Sequence, residues 1–182
     1  WFYNPLCDSE LVRGRPGLNP TAPVRRMNLD LESVMMFLAS PPYGLSAIAF
    51  LSLIPLLHAV RLSPTRRFAA LGGFFTGVTF FAPGVYWMTN VTWPGYIALA
   101  LYCASYFAVF AVCAYAARRA GPFWNVLLLG ACWPLLEILR GRLITGFPWL
   151  LFSHTQYDST ILSQVLDITG AYGLSGILVV VN

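Results

Sequence analysis

Charge is what this sequence has least of. Across 182 residues only 10% are Asp, Glu, Lys or Arg, and Lys is missing altogether. A soluble domain carries about a quarter charged residues. The shortage excludes an ordinary cytosolic globule, a disordered chain and a fibrous repeat. The missing Lys excludes a Schiff base, a catalytic lysine or a phosphate-binding P-loop within these residues. Cysteine is sparse too: Cys7, Cys103, Cys113 and Cys132, with no Cys-x-x-Cys pair. All but Cys7 lie in apolar runs, where a free Cys behaves as a small hydrophobe. No disulfide framework, zinc site or other metal is expected, and no cofactor. No signal-peptide pattern follows Trp1.

Apolar residues are what the chain has instead. They make up 58% of it, and the mean hydropathy is +0.67. That composition predicts an all-α fold, a polytopic transmembrane bundle of about five to six helices. Residues 1–32 hold Pro5, Pro16, Pro20 and Pro23 among Arg and acidic residues, and read as a polar, irregular leader. Residues 33–182 read as the transmembrane helical domain. Within it, Ser33 to Val60 carries no Asp, Glu or Arg but is interrupted at Pro41 and Pro42, which cannot sit in a helix interior. It predicts a short span, a break over Ser40 to Gly44, and a second span from about Ala47 to Val60. Phe68 to Met88, Tyr96 to Ala117, and Phe123 to about Leu139 predict three further spans. The last apolar run, Ala171 to Val181, is too short to cross by itself. Gly73 and Gly77 form a GxxxG face suited to close helix packing.

Arginine placement gives an orientation. Arg13, Arg15, Arg25, Arg26, Arg61, Arg66, Arg67, Arg118 and Arg119 fall on one side if the spans alternate, against Arg140 and Arg142 on the other. The positive-inside rule then puts the leader in the cytoplasm. The links at Pro41-Pro42, Thr89 to Gly95 and Gly141 to Gly170 face outward, with Trp87, Trp93 and Trp149 near that boundary. The Arg residues sit between apolar spans and form no single patch, so nucleic acid is not expected as a partner.

Few residues could carry chemistry. His58 and His154 fall on opposite sides of the membrane and cannot share an ion. Ser153, His154 and Asp158 lie close together, but no GxSxG elbow accompanies them. Glu137 closes an otherwise apolar helix, with Arg140 one turn on along the same face. Two readings stand: a functional ionisable pair at membrane depth, or an ion pair that fixes the helix end. After it, Gly141, Gly146 and Pro148 interrupt a stretch that stays apolar through Phe147, Trp149, Leu150 and Phe152. Non-helical backbone cannot face lipid unsatisfied. The stretch therefore reads as a structured outer loop dipping toward the bilayer, which either lines a site for a lipid headgroup with Glu137 and Arg140 or only packs the bundle.

Several of these pieces occur in a recognisable order. They are Ala39 to Gly44, Leu53 to Leu57, and Phe74 to Trp87 with Gly77 and Gly84. Then come Trp133 to Glu137 with Arg140 and Gly141, Thr145 to Trp149 followed by Gln156, and Asp167, Gly170 and Tyr172 to Ser175 ahead of Asn182. In that order they resemble the membrane domain of the bacterial apolipoprotein N-acyltransferases, from about Phe37 onward. The resemblance implies an inner-membrane protein of a family that moves an acyl chain from a phospholipid to the amino group of a lipid-modified N-terminal Cys. It implies a Glu–Lys–Cys triad in a nitrilase-like domain that follows the membrane helices. These residues supply no such triad, and no catalytic residue carries over. What carries over is lipid contact by the outer loop, around Glu137, Arg140, Gly146, Phe147, Pro148, Trp149 and Gln156. The expectation is a chain not competent in catalysis alone. It is either the membrane half of an N-acyltransferase, truncated in its last helix or joined by a separate catalytic domain, or a non-catalytic transmembrane subunit of a larger complex. Membrane phospholipid is the expected partner in either case. A transporter or channel fits less well, since the spans hold few polar residues to line a water path.

Overall fold

The computed structural model describes residues 31, 33–40, 43–144 and 146–182. Most of the leader, the Pro41-Pro42 break and Thr145 lie outside these. Among the described residues the chain is mostly helical, with no strand. Helix α1 covers residues 33–39. After a 3-10 turn at Ser46–Ile48 come α2 (Ala49–Ser52) and α3 (Ile54–Arg61). Four longer helices follow: α4 (Arg66–Gly84), α5 (Trp93–Ala117), α6 (Pro122–Arg142) and α7 (Thr160–Val181).

Local chemistry sets these limits. Thr65 is extended and caps α4, its hydroxyl accepting from the Phe68 amide at 3.4 Å. Pro94 and Pro122 lie in the first turns of α5 and α6, where a missing amide costs nothing. Gly170 breaks the regular helix of α7, at φ 68° and ψ 175°, a conformation open to glycine.

By length and composition, α5, α6 and the Gln164–Val181 part of α7 can each cross a membrane. Two expectations change here. The span read over Phe68 to Met88 folds as α4, which stops at Gly84 and is not among these helices, while the last apolar run, short by itself, gains its length across the Gly170 kink from the helix that begins at Thr160. The span expected from Ala47 to Val60 is broken at Leu53 into α2 and α3. Pro55 has no amide to offer the preceding turn, and it lies in the first turn of α3, where none is needed.

Helix α4 packs along α5, and α7 packs along α6, while α5 also meets α6. Gly73 and Gly77 lie at the first contact. A Cβ on Gly73 would fall 2.5 Å from the Phe107 carbonyl oxygen, and one on Gly77 would fall 2.7 Å from the Ala104 Cα. The backbones approach closely there, as small residues allow. The core beside this contact is aromatic. Trp133 meets Phe110 edge-on at 4.7 Å, Phe107 at 5.1 Å and Phe152 at 5.6 Å between ring centres. This core reaches the end of the bundle where α6 stops, and there it positions the loop.

Candidate functional site

The last two turns of α6 carry Glu137 and Arg140, both buried. Residues three apart on a helix share a face. Yet neither side chain hydrogen-bonds the other; both reach into the loop that follows. One carboxylate oxygen of Glu137 accepts from the Trp133 indole at 3.0 Å and from the Phe152 amide at 2.7 Å. Arg140 donates through one terminal nitrogen to the carbonyl oxygens of Trp149 at 2.9 Å and Leu150 at 3.4 Å. The Arg140 carbonyl in turn accepts from the Phe147 amide at 3.1 Å. These two side chains thus satisfy the polar backbone of a non-helical segment lying against an apolar core. That is the condition for such a segment to exist at membrane depth.

The loop they hold is tightly wound. Gly146 has φ 61°, and a Cβ there would meet the Gly141 carbonyl oxygen at 2.9 Å. Ile144 and Leu150 also take positive φ, 56° and 54°, which non-glycine residues rarely do. Strain of that kind persists only where neighbouring structure enforces it, and the Arg140 bonds enforce it at Leu150. Further bonds tie the segment down. Tyr102 donates to the Leu143 carbonyl at 3.2 Å, and the Ser153 amide donates to the Ser175 hydroxyl at 3.0 Å.

The result is an aromatic ledge. Trp149 is 57% exposed, stacks against Phe147 at 6.1 Å and 16°, and lies 5.7 Å from Trp87. Phe147, half-buried against the core, forms its inner side, and Pro148 is exposed between it and Trp149. Gln156 is not part of the ledge. It is 2% exposed, and its side-chain amide donates to the Ser46 carbonyl at 3.0 Å, tying the Phe152–Gln156 turn to the start of α2.

Behind the ledge, a cavity of about 20 Å³ lies among Phe107, Trp133, Tyr106, Glu137, Arg140 and Leu150. Among the described residues, neither the second carboxylate oxygen of Glu137 nor the Nε of Arg140 has a hydrogen-bond partner. His154, in the turn beyond the loop, is held below its usual pKa, first by partial desolvation and then by the Arg140 charge. The sequence reading missed Tyr102, Tyr106 and Ser175 as supports. The four-residue spacing of the two tyrosines was the available signal, and their hydroxyls lie 2.7 Å apart.

Comparison with known proteins gives this geometry a context. The pattern of the family described as apolipoprotein N-acyltransferase N-terminal domain matches residues 32–182. The apolipoprotein N-acyltransferase of Geobacter metallireducens is 36% identical over 163 residues, covering 84% of this chain and 31% of its own length. That of Haemophilus ducreyi is 34% identical over 156 residues, covering 80% of this chain and 30% of its own. That of Nitrosomonas europaea is 35% identical over 150 residues, covering 75% and 30%. The chain therefore spans about three tenths of the length of the curated relatives it matches.

Proposed function

The chain belongs to the apolipoprotein N-acyltransferase family, and from that premise we propose that it forms the membrane part of a system for moving an acyl chain from phospholipid to lipoprotein. Its contribution is to receive the phospholipid. The aromatic ledge of Phe147, Pro148 and Trp149 contacts the lipid near its headgroup, and Glu137 and Arg140 hold that ledge in place from behind. Gly146 supplies the turn, and Gln156 braces the next one. The acyl-transfer chemistry itself is assigned to a nitrilase-like domain, as the family resemblance implies, and to none of these residues.

One observation carries this reading. Trp149 is half-exposed beside Trp87 on a loop whose backbone is pinned by two buried ionisable side chains. Amphipathic indoles favour the boundary between hydrocarbon and headgroups. Burying a charged pair is costly and calls for a reason, and holding a rigid contact surface is one. The arginines support a bacterial inner-membrane location. Arg61, Arg66, Arg67, Arg118 and Arg119 cluster at the end opposite the ledge, so that end faces the cytoplasm and the ledge faces outward.

The test is phospholipid retention by the chain reconstituted in bilayer discs, read by native mass spectrometry. Trp149→Ala should lower retention several-fold with the thermal transition unchanged. Full retention in a folded variant would remove the ledge from lipid contact.

A further inference from the structure

The end of the bundle away from the ledge carries a second constellation. A cavity of about 240 Å³ lies between the α3–α4 turn and the α5–α6 turn, lined by Pro64, Thr65, Arg66, Tyr115, Ala116 and Arg119. Its walls are fixed by a third arginine. The guanidinium of Arg118 lies 3.6 Å above the Tyr115 ring and donates to the carbonyl oxygens of Ser63 at 3.1 Å and Arg61 at 3.3 Å. The Tyr115 hydroxyl donates to the Pro64 carbonyl at 3.3 Å. Arg118 and Tyr115 are thus occupied in joining the two turns, while Arg66 and Arg119 are exposed and turned to the cavity.

Among the described residues no carboxylate answers them. The acidic side chains among the described residues are Glu137, Asp158 and Asp167, and none lines this cavity. Glu137 sits at the far end of α6, about 20–30 Å away along the helix at 1.5 Å per residue. The start of α4 adds the partial positive charge of a helix N-terminus to the same place. Two arginine forks and a helix start around one open space suit a phosphate.

We propose that this cavity binds the phosphate headgroup of an anionic phospholipid, separately from the ledge. A lipid is favoured over a free anion by what adjoins the cavity. Ala116 forms part of its wall and continues, at helical spacing, into an exposed face of α5 through Val109 to Leu101. An acyl chain lies along that face while its phosphate sits between Arg66 and Arg119. Basic pockets between membrane helices hold anionic lipids through this combination.

The experiment uses the full chain in discs of mixed phosphatidylglycerol and phosphatidylcholine, with the retained lipid counted by native mass spectrometry. Wild type should retain phosphatidylglycerol in preference. Arg66→Gln and Arg119→Gln should each lower that retention about fivefold, and the double substitution about 25-fold, as expected for one surface arginine per step. Arg142→Gln, at the other end, should change it less than about twofold. Ala116→Trp keeps both arginines but fills the wall, and should also reduce retention if the double variant fails to fold. Equal retention in wild type and in the folded Arg66→Gln/Arg119→Gln or Ala116→Trp variant would overturn the proposal. So would an equal loss in Arg142→Gln. Millimolar inorganic phosphate should leave the bound phosphatidylglycerol in place; displacement by it would make this a free-anion site and overturn the lipid assignment.

Discussion

The carboxamide of Asn182 fills the break at Leu53. The Leu53 amide donates to its oxygen at 2.9 Å, and its nitrogen donates to the Ala49 carbonyl at 2.9 Å. In a continuous helix the Leu53 amide would bond the Ala49 carbonyl directly. The side chain at the end of α7 is inserted into that bond and satisfies both groups. Asn182→Leu takes away the acceptor of the Leu53 amide, at roughly 1–3 kcal/mol when buried, while the Ala49 carbonyl keeps the Ser52 hydroxyl at 3.0 Å. A loss of about 1–2 kcal/mol is expected in reversible unfolding in detergent, allowing for partial exposure. Asn182→Asp keeps the acceptor and should lose less. Equal losses would mean that bulk, and not hydrogen bonding, holds the junction.

Glu137 acts through an acceptor oxygen. Glu137→Gln can keep a carbonyl oxygen toward the Trp133 indole and the Phe152 amide. Glu137→Ala leaves both donors unpaired in the core, at roughly 1–3 kcal/mol each. Thermal unfolding should rank wild type and Gln close together and Ala well below. A Gln variant as unstable as Ala would show that the charge, not the acceptor, is needed.

The close approach of α4 and α5 is equally testable. Gly77→Ala forces a methyl group against the Ala104 backbone, so it should destabilise by about 1–3 kcal/mol, as overpacking does. Gly121→Ala is the comparison, since a Cβ there meets nothing within 4 Å. It should stay within about 0.5 kcal/mol of wild type.

His154 predicts acid sensitivity near the loop. Its folded pKa lies below the ordinary histidine value, through desolvation and the Arg140 charge. The folded state therefore resists protonation. Stability is full above the unfolded pKa of about 6.5 and falls as pH drops below it. His154→Gln should flatten the melting temperature below about pH 6.5. An unaltered acid slope would place the sensitivity elsewhere.

Much of the bundle could be read from runs of apolar residues, because crossing a bilayer demands length and little else. Helices α5 and α6 fall close to the stretches read for them, Tyr96 to Ala117 and Phe123 to Leu139. The junction at Leu53 was illegible for a plain reason. Pro55 signals a break, but the group that repairs it stands 129 residues away. The spacing of Glu137 and Arg140 showed a shared face, yet not where their bonds go. Apart from the Trp133 indole, their partners are backbone groups of Trp149, Leu150 and Phe152, in a loop with positive φ at Leu150. Backbone direction leaves no mark in residue type when a leucine adopts it. Gln156 reads as a loop residue beside Trp149, but the 3-10 turn after Leu151 rotates it inward to Ser46.

Lipid contact at Trp149 is the claim on which the functional account turns. The most direct measurement places the photoreactive residue benzoylphenylalanine at position 149 or at position 156 of the chain in phospholipid discs. After illumination, the adducts are identified by mass spectrometry. The account predicts a phospholipid adduct at 149 and none at 156, where the side chain is buried. Absence of lipid adduct at 149, or equal adducts at both positions, would contradict it.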